Sequence, residues 1–128
     1  MQNDPILDVL NNLLNYDEIL ACMVARHNMI SVMPEKEHFK PEIMTNWDIV
    51  KPIMDDIFLI IRKYSQAGLT KIKFNLHDYE VLFYIFPETE NALVAITPAL
   101  SNKEFIEKEM ENARNEILNI IENAELIN

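Results

Sequence analysis

The sequence predicts an α+β sandwich, ordered α-β-β-α-β-β-β-α, in which a five-stranded antiparallel sheet carries one helix on one face and two on the other. Three observations carry this. Helical periodicity opens, divides and closes the chain. Short apolar runs without alternation, at 19–25, 81–86 and 92–97, read as strands covered on both faces. Turn residues or helix-capping signals bound these segments and keep most connections short.

Taken in order, Asp4 followed by Pro5 starts a helix, the first as cap and the second in the first turn. Ile6, Leu7, Val9, Leu10, Leu13 and Leu14 line one side of it, opposite Asp8, Asn11, Asn12 and Asn15. Ile19 to Ala25 is the first strand. Arg26, His27 and Asn28 supply a turn, and Met29 to Met33 returns as the second strand. Residues 34–45 are polar, carry Pro34 and Pro41, and have no period. A connection of that length is either a functional loop or a spacer that tucks Phe39, Ile43 or Met44 against the body.

A long helix over 47–66 follows. Thr45 and Asp48 have capping-box spacing, and Gly68 marks the stop. Pro52 predicts a kink in the first turns, or a regular start near Val50. The apolar side chains cover an arc of roughly 180°. Ile49, Ile53, Ile57, Ile60 and Tyr64 form one flank; Trp47, Val50, Met54, Phe58 and Ile61 form the other. One flank is enough to cover a sheet, so the second requires a further cover.

Leu69 to Leu76 alternates, and Lys71 and Lys73 are residues that protect a sheet edge from random pairing. His77, Asp78 and Tyr79 form a turn before the strand at 81–86. Pro87 to Asn91 is the next turn, ahead of the strand Ala92 to Thr97. Ser101 with Glu104 is a second capping box, opening a helix that runs to about residue 125. Its stripe is Ile106, Met110, Ala113, Ile117, Ile120, Ile121 and Ala124.

Composition restricts the function. At 128 residues and 49% hydrophobic, the chain is one domain, 1–128, with enough apolar residues for a core. A net charge of −10 repels phosphate backbones and anionic membrane surfaces. Arg62, Lys63, Lys71 and Lys73 are interleaved with apolar residues and make no basic patch, so neither nucleic-acid binding nor membrane insertion is expected. The single cysteine, Cys22, lies in an apolar run; it reads as a buried small hydrophobe in a protein of the reducing cytoplasm. No charged segment leads into an apolar stretch at the N-terminus, so no signal peptide is expected.

A catalytic site is not spelled out. Phosphate-binding loops need several glycines so that backbone N–H groups approach the anion, and the chain has one glycine, Gly68. His27, His38 and His77 have no metal-ligand spacing, so no metal or cofactor is expected. Asp55 and Asp56 diverge on a helix, and neither Ser31 nor Ser65 has nucleophile-elbow context. Trp47, Met54 and Phe58 could line a ligand box, but such a stripe fits core or oligomer contact better.

The segment order resembles the Roadblock family of dynein light chains across about residues 5 to 125. The matching pieces are the helix Ile6–Leu14, the run Ile19–Ala25 turning at Asn28, the long helix ending at Gly68, and Ala92–Thr97 followed by the helix from Ser101. The chain departs from that pattern at His27-Asn28, where members carry an acidic residue and glycine, in the longer loop 34–45, and at Pro52. The resemblance implies a non-catalytic homodimer formed through the middle helix and the following edge strand, acting as a scaffold or regulator of a small Ras-like GTPase. On that basis the expected dimer contact is Trp47, Val50, Met54, Phe58, Ile61, Ile72 and Phe74. The exposed stripe Asp48, Lys51, Asp55, Arg62 and Gln66 is the expected GTPase platform. Two other readings stand beside it: a profilin-like or PAS-like ligand sensor, whose cavity Phe58, Phe74, Phe83 and Phe86 would tend to fill, and a structural dimer within a larger assembly.

Overall fold

A computed structural model describes residues 4–26, 31–87 and 89–127. Its elements are helix α1 (Pro5–Leu14), strand β1 (Ala21–Ala25), helix α2 (Met44–Tyr64), strands β2 (Lys71–Leu76), β3 (Tyr79–Ile85) and β4 (Ala92–Pro98), and helix α3 (Lys103–Ile127). The strands form one antiparallel sheet in the order β1-β4-β3-β2.

The sheet has four strands among the described residues, not five. Part of the expected second strand, at 29–30, lies outside them. The described remainder contributes one bridge, in which Val24 and Val32 exchange backbone hydrogen bonds of 2.9 and 3.0 Å. Two 3₁₀ turns, Lys36–His38 and Pro41–Ile43, then lead into α2. Phe39 and Ile43 are buried, which makes this connection part of the packed body. Lys40 ties it down, donating its backbone N–H to the Leu20 carbonyl and its Nζ to the carbonyl of Leu14 at the negative end of α1.

The helix ends are set by local chemistry. The Asp4 carboxylate accepts from the Ile6 N–H at 2.9 Å, with Pro5 in the first turn, as the sequence indicates. For α2 the expected capping box is not used: the helix starts at Met44, and its cap, Ile43, makes no side-chain bond. The preceding 3₁₀ turn feeds the helix directly, with the Ile43 N–H donating to Lys40. Pro52 neither delays nor ends α2. It lies on an exposed side of the helix. Gly68 closes the segment in the left-handed region at φ 94°, which L side chains rarely adopt. At α3 the cap is Asn102 rather than Ser101: its Oδ1 accepts from the Phe105 N–H, while its own N–H is taken by the Glu18 carboxylate.

Register assigns the two faces of the sheet. Cys22, Ala95, Leu82 and Lys73 form one row across the strands, and alternation puts Lys71, Glu80, Tyr84, Leu93 and Thr97 on their side. α1 and α3 take this face. The Cys22 thiol donates to the Leu10 carbonyl, and Lys71 bonds Glu107 and Glu111 of α3. Tyr16 joins the two helices, meeting Phe105 edge-on and donating to Glu109. The opposite face carries Met23, Val94, Ile96, Val81, Phe83 and Ile85, all buried. Its cover is the buried stripe of α2. No helix of the described residues is long and apolar enough to cross a membrane.

Candidate functional site

α2 separates its apolar residues into two populations. Trp47, Val50 and Ile61 have no exposed surface, and Met54 and Phe58 are only 9% and 8% exposed. This is the flank that lies on the sheet, with the Trp47 ring edge-on to Phe39 at 5.2 Å. These five residues therefore sit in the core of the single chain, not on a surface that a second subunit would meet. That corrects their expected place in a dimer contact. The other flank is open: Ile49 is 47% exposed, Ile60 40% and Tyr64 46%, with Leu59 nearby at 59%. Ile57 falls at the boundary and is buried.

Its direction is fixed by an ion pair. Arg62 holds Glu90, in the turn between β3 and β4, at 2.7 Å. Arg62 and Ile60 are two residues apart, about 200° around a helix, so they project to opposite sides of α2. Arg62 is held by the turn between the two central strands, and Ile60 and Tyr64 project from the other side of α2. The β2 margin is an open edge, because among the described residues β2 pairs only with β3. On the α2 face of β2, Ile72, Phe74 and Leu76 are half-buried, and Phe74 stacks on Phe83 with centroids 6.0 Å apart. The chain thus carries two apolar surfaces, the exposed α2 flank and the half-buried face of β2, and among the described residues no strand pairs with the outer side of β2.

The expected platform residues Asp48, Lys51, Asp55, Arg62 and Gln66 are all exposed. They lie on the side of α2 away from the apolar flank, and the Arg62–Glu90 bond anchors one end of the stripe. Sequence reasoning missed Glu90; a turn carboxylate and a helical arginine 28 positions apart carry no periodic signal of their pairing.

Beyond these surfaces the polar groups are absorbed structurally. Lys71 bridges Glu107 and Glu111, whose hydrogen bonds raise its pKa, and Lys71 in turn lowers that of Glu111. The Lys71 ammonium and the Arg114 guanidinium lie 5.0 and 5.5 Å from the centroid of the Tyr84 ring. Burial pushes the Cys22 thiol up to about 12. His38 is exposed beside Asn11, His77 sits exposed in the β2–β3 turn, and His27 lies outside the described residues. No three His, Cys, Asp or Glu residues gather as metal ligands among the described residues. The clefts are small. One of about 150 Å³ opens between β2, β3 and the start of α3, and one of about 280 Å³ lies beside Gly68 and Arg114. Phe83 and Phe86 are fully buried and Phe58 nearly so, filling space between sheet and helix that a sensor would need for ligand.

Compared with known proteins, the chain matches no family model and no curated protein.

Proposed function

We propose that this chain is a non-catalytic homodimeric scaffold that pairs through the α2 flank and the β2 edge and presents its polar α2 stripes to a small Ras-like GTPase. The carrying observations are the exposed α2 flank, Ile49, Ile60 and Tyr64, and the half-buried apolar face of the edge strand β2, Ile72, Phe74 and Leu76. Burying a large apolar side chain completely is worth about 1.5–3 kcal/mol, so a second copy covering these half-exposed residues gains several kcal/mol. The open β2 edge gains hydrogen-bond partners in the same contact, and a two-fold arrangement satisfies both copies at once. The element order read from the sequence and the mixed-charge stripe Asp48, Lys51, Asp55, Arg62 and Gln66 support the choice of partner.

Capture of purified small Ras-like GTPases, in both nucleotide states, on the immobilised protein tests the partner. The expected result is retention of one of them. Exchanging Lys51 and Arg62 for glutamate should weaken it, most strongly at low salt, while leaving the oligomeric state unchanged. No retention across the set, or retention indifferent to the double exchange, contradicts the platform.

A further inference from the structure

We infer that the two β2 strands meet in one register, with Phe74 on the two-fold axis against its twin and Lys73 opposite Asn75. This rests on the dimer proposed above and fixes its seam. Both copies can bring their α2 flanks together only if the axis is normal to the joint sheet, so that paired residues share a face. In antiparallel pairing that requires facing residue numbers of equal parity. Over a strand of six residues, centres at 73, 74 and 75 are the ones with substantial overlap.

Chemistry separates them. A centre at Lys73 sets two like charges directly opposite each other, which destabilises a strand pair. Lys73 is exposed and makes no ion pair among the described residues that would offset this. With Asn75 at the centre, Lys73 faces His77, a turn residue at φ 54°, and Ile72 faces Asp78, beyond the end of the partner strand. The Phe74 centre pairs Ile72 with Leu76 and Phe74 with Phe74 on the α2 face of the sheet. On the α3 face it pairs Lys73 with Asn75, and no charges of one sign oppose each other.

This register also gives the free lysine a counter-charge. Asn75 is paired with Glu80 on β3, so the partner subunit's Lys73, Asn75 and Glu80 fall in one row on one face. Two strand spacings, roughly 10 Å, separate the partner's Lys73 from Glu80, a gap the two extended side chains close. Glu80 is 8% exposed and held at 3.1 Å by Lys103, which is itself well exposed. A second cation therefore reinforces a carboxylate already removed from most of its water.

Cysteine cross-linking reads the register directly, and the native Cys22 can stay because it is buried. Lys73→Cys, Phe74→Cys and Asn75→Cys are oxidised singly and in pairwise mixtures, alongside sedimentation of the reduced proteins. Facing strand residues lie within disulfide range, so Phe74→Cys alone should cross-link about tenfold faster than either neighbour alone. A mixture of Lys73→Cys with Asn75→Cys should also cross-link, and it leaves the Phe74 contact intact. Rapid self-linking of Lys73→Cys or of Asn75→Cys overturns the register while leaving the dimer standing. Dimers by sedimentation with no cross-link at any position overturn β2 as the seam. Monomers throughout mean that the proposed dimer itself fails.

Discussion

Arg62 Nε donates to Glu90 Oε1 at 2.7 Å, and a second guanidinium nitrogen reaches Oε2 at 3.3 Å. The bond joins the last turn of α2 to the turn between β3 and β4, and so marks how α2 is rotated on the sheet. That rotation turns Trp47, Val50 and Ile61 into the core and leaves Ile49, Ile60 and Tyr64 exposed on the other side of the helix. As a half-exposed pair it contributes little to stability by itself. Its significance is directional.

The two flanks of α2 should respond oppositely to charge. Val50→Asp places a carboxylate where no surface is exposed, and a loss of about 3 kcal/mol or more is expected. Ile60→Asp changes a residue at the surface of the single chain and should leave the fold intact. Far-UV circular dichroism and urea unfolding check both. A folded Val50→Asp protein would mean that the helix is rotated the other way.

Gly68→Ala should cost about 1 kcal/mol in urea unfolding. A new Cβ at Gly68 meets nothing within 4 Å, so the loss would come from holding alanine at φ 94° and not from a clash. An unchanged midpoint would show that the end of α2 readily re-forms in another conformation.

Cys22 should be silent to thiol reagents at pH 8 while the protein is folded. Its thiol is buried, bonded to the Leu10 carbonyl at 3.4 Å, and pushed up to about 12. Labelling should follow global unfolding and give one thiol per chain in urea. Fast labelling under native conditions would place β1 outside the core.

The Lys71 bridge predicts a specific pH response. Hydrogen bonding to Lys71 holds Glu111 below the usual carboxylate value, so its contribution is complete above that value and is lost as pH falls through the lowered one. Lys71 is shifted upward, so its own contribution persists through neutral pH and disappears only in strong alkali. Lys71→Met should therefore lose stability at neutral pH and show a flatter decline below about pH 4.5 than the parent. Parallel curves for the two proteins would show that the bridge carries no linkage.

Elements whose signal is local were legible in the sequence. Asp4-Pro5 caps α1, Gly68 ends the long helical segment, and the doubly apolar runs at β1, β3 and β4 are buried strands. What was not legible depends on partners distant in the chain. Both flanks of α2 are apolar, so periodicity alone gives no way to choose between them. Phe39 packing on the fully buried Trp47 makes the choice, and the Arg62–Glu90 bond is consistent with it. The same limit explains α3, where Ser101 has the better capping spacing but Asn102 takes the role, its backbone N–H held by the distant Glu18. The helix starts ahead of Val50 and runs through Pro52, because the 3₁₀ turn before it supplies the first hydrogen bonds from a part of the chain with no periodic signal.

Sedimentation equilibrium of the native chain at micromolar concentration, beside Ile60→Asp under the same conditions, tests the central claim most directly. The native protein should sediment at about twice the 15.0 kDa chain mass, and the folded variant at the mass of one chain. A native protein that stays monomeric there, or an Ile60→Asp protein that still sediments as a dimer, would contradict the assignment of the exposed α2 flank as the contact between two copies.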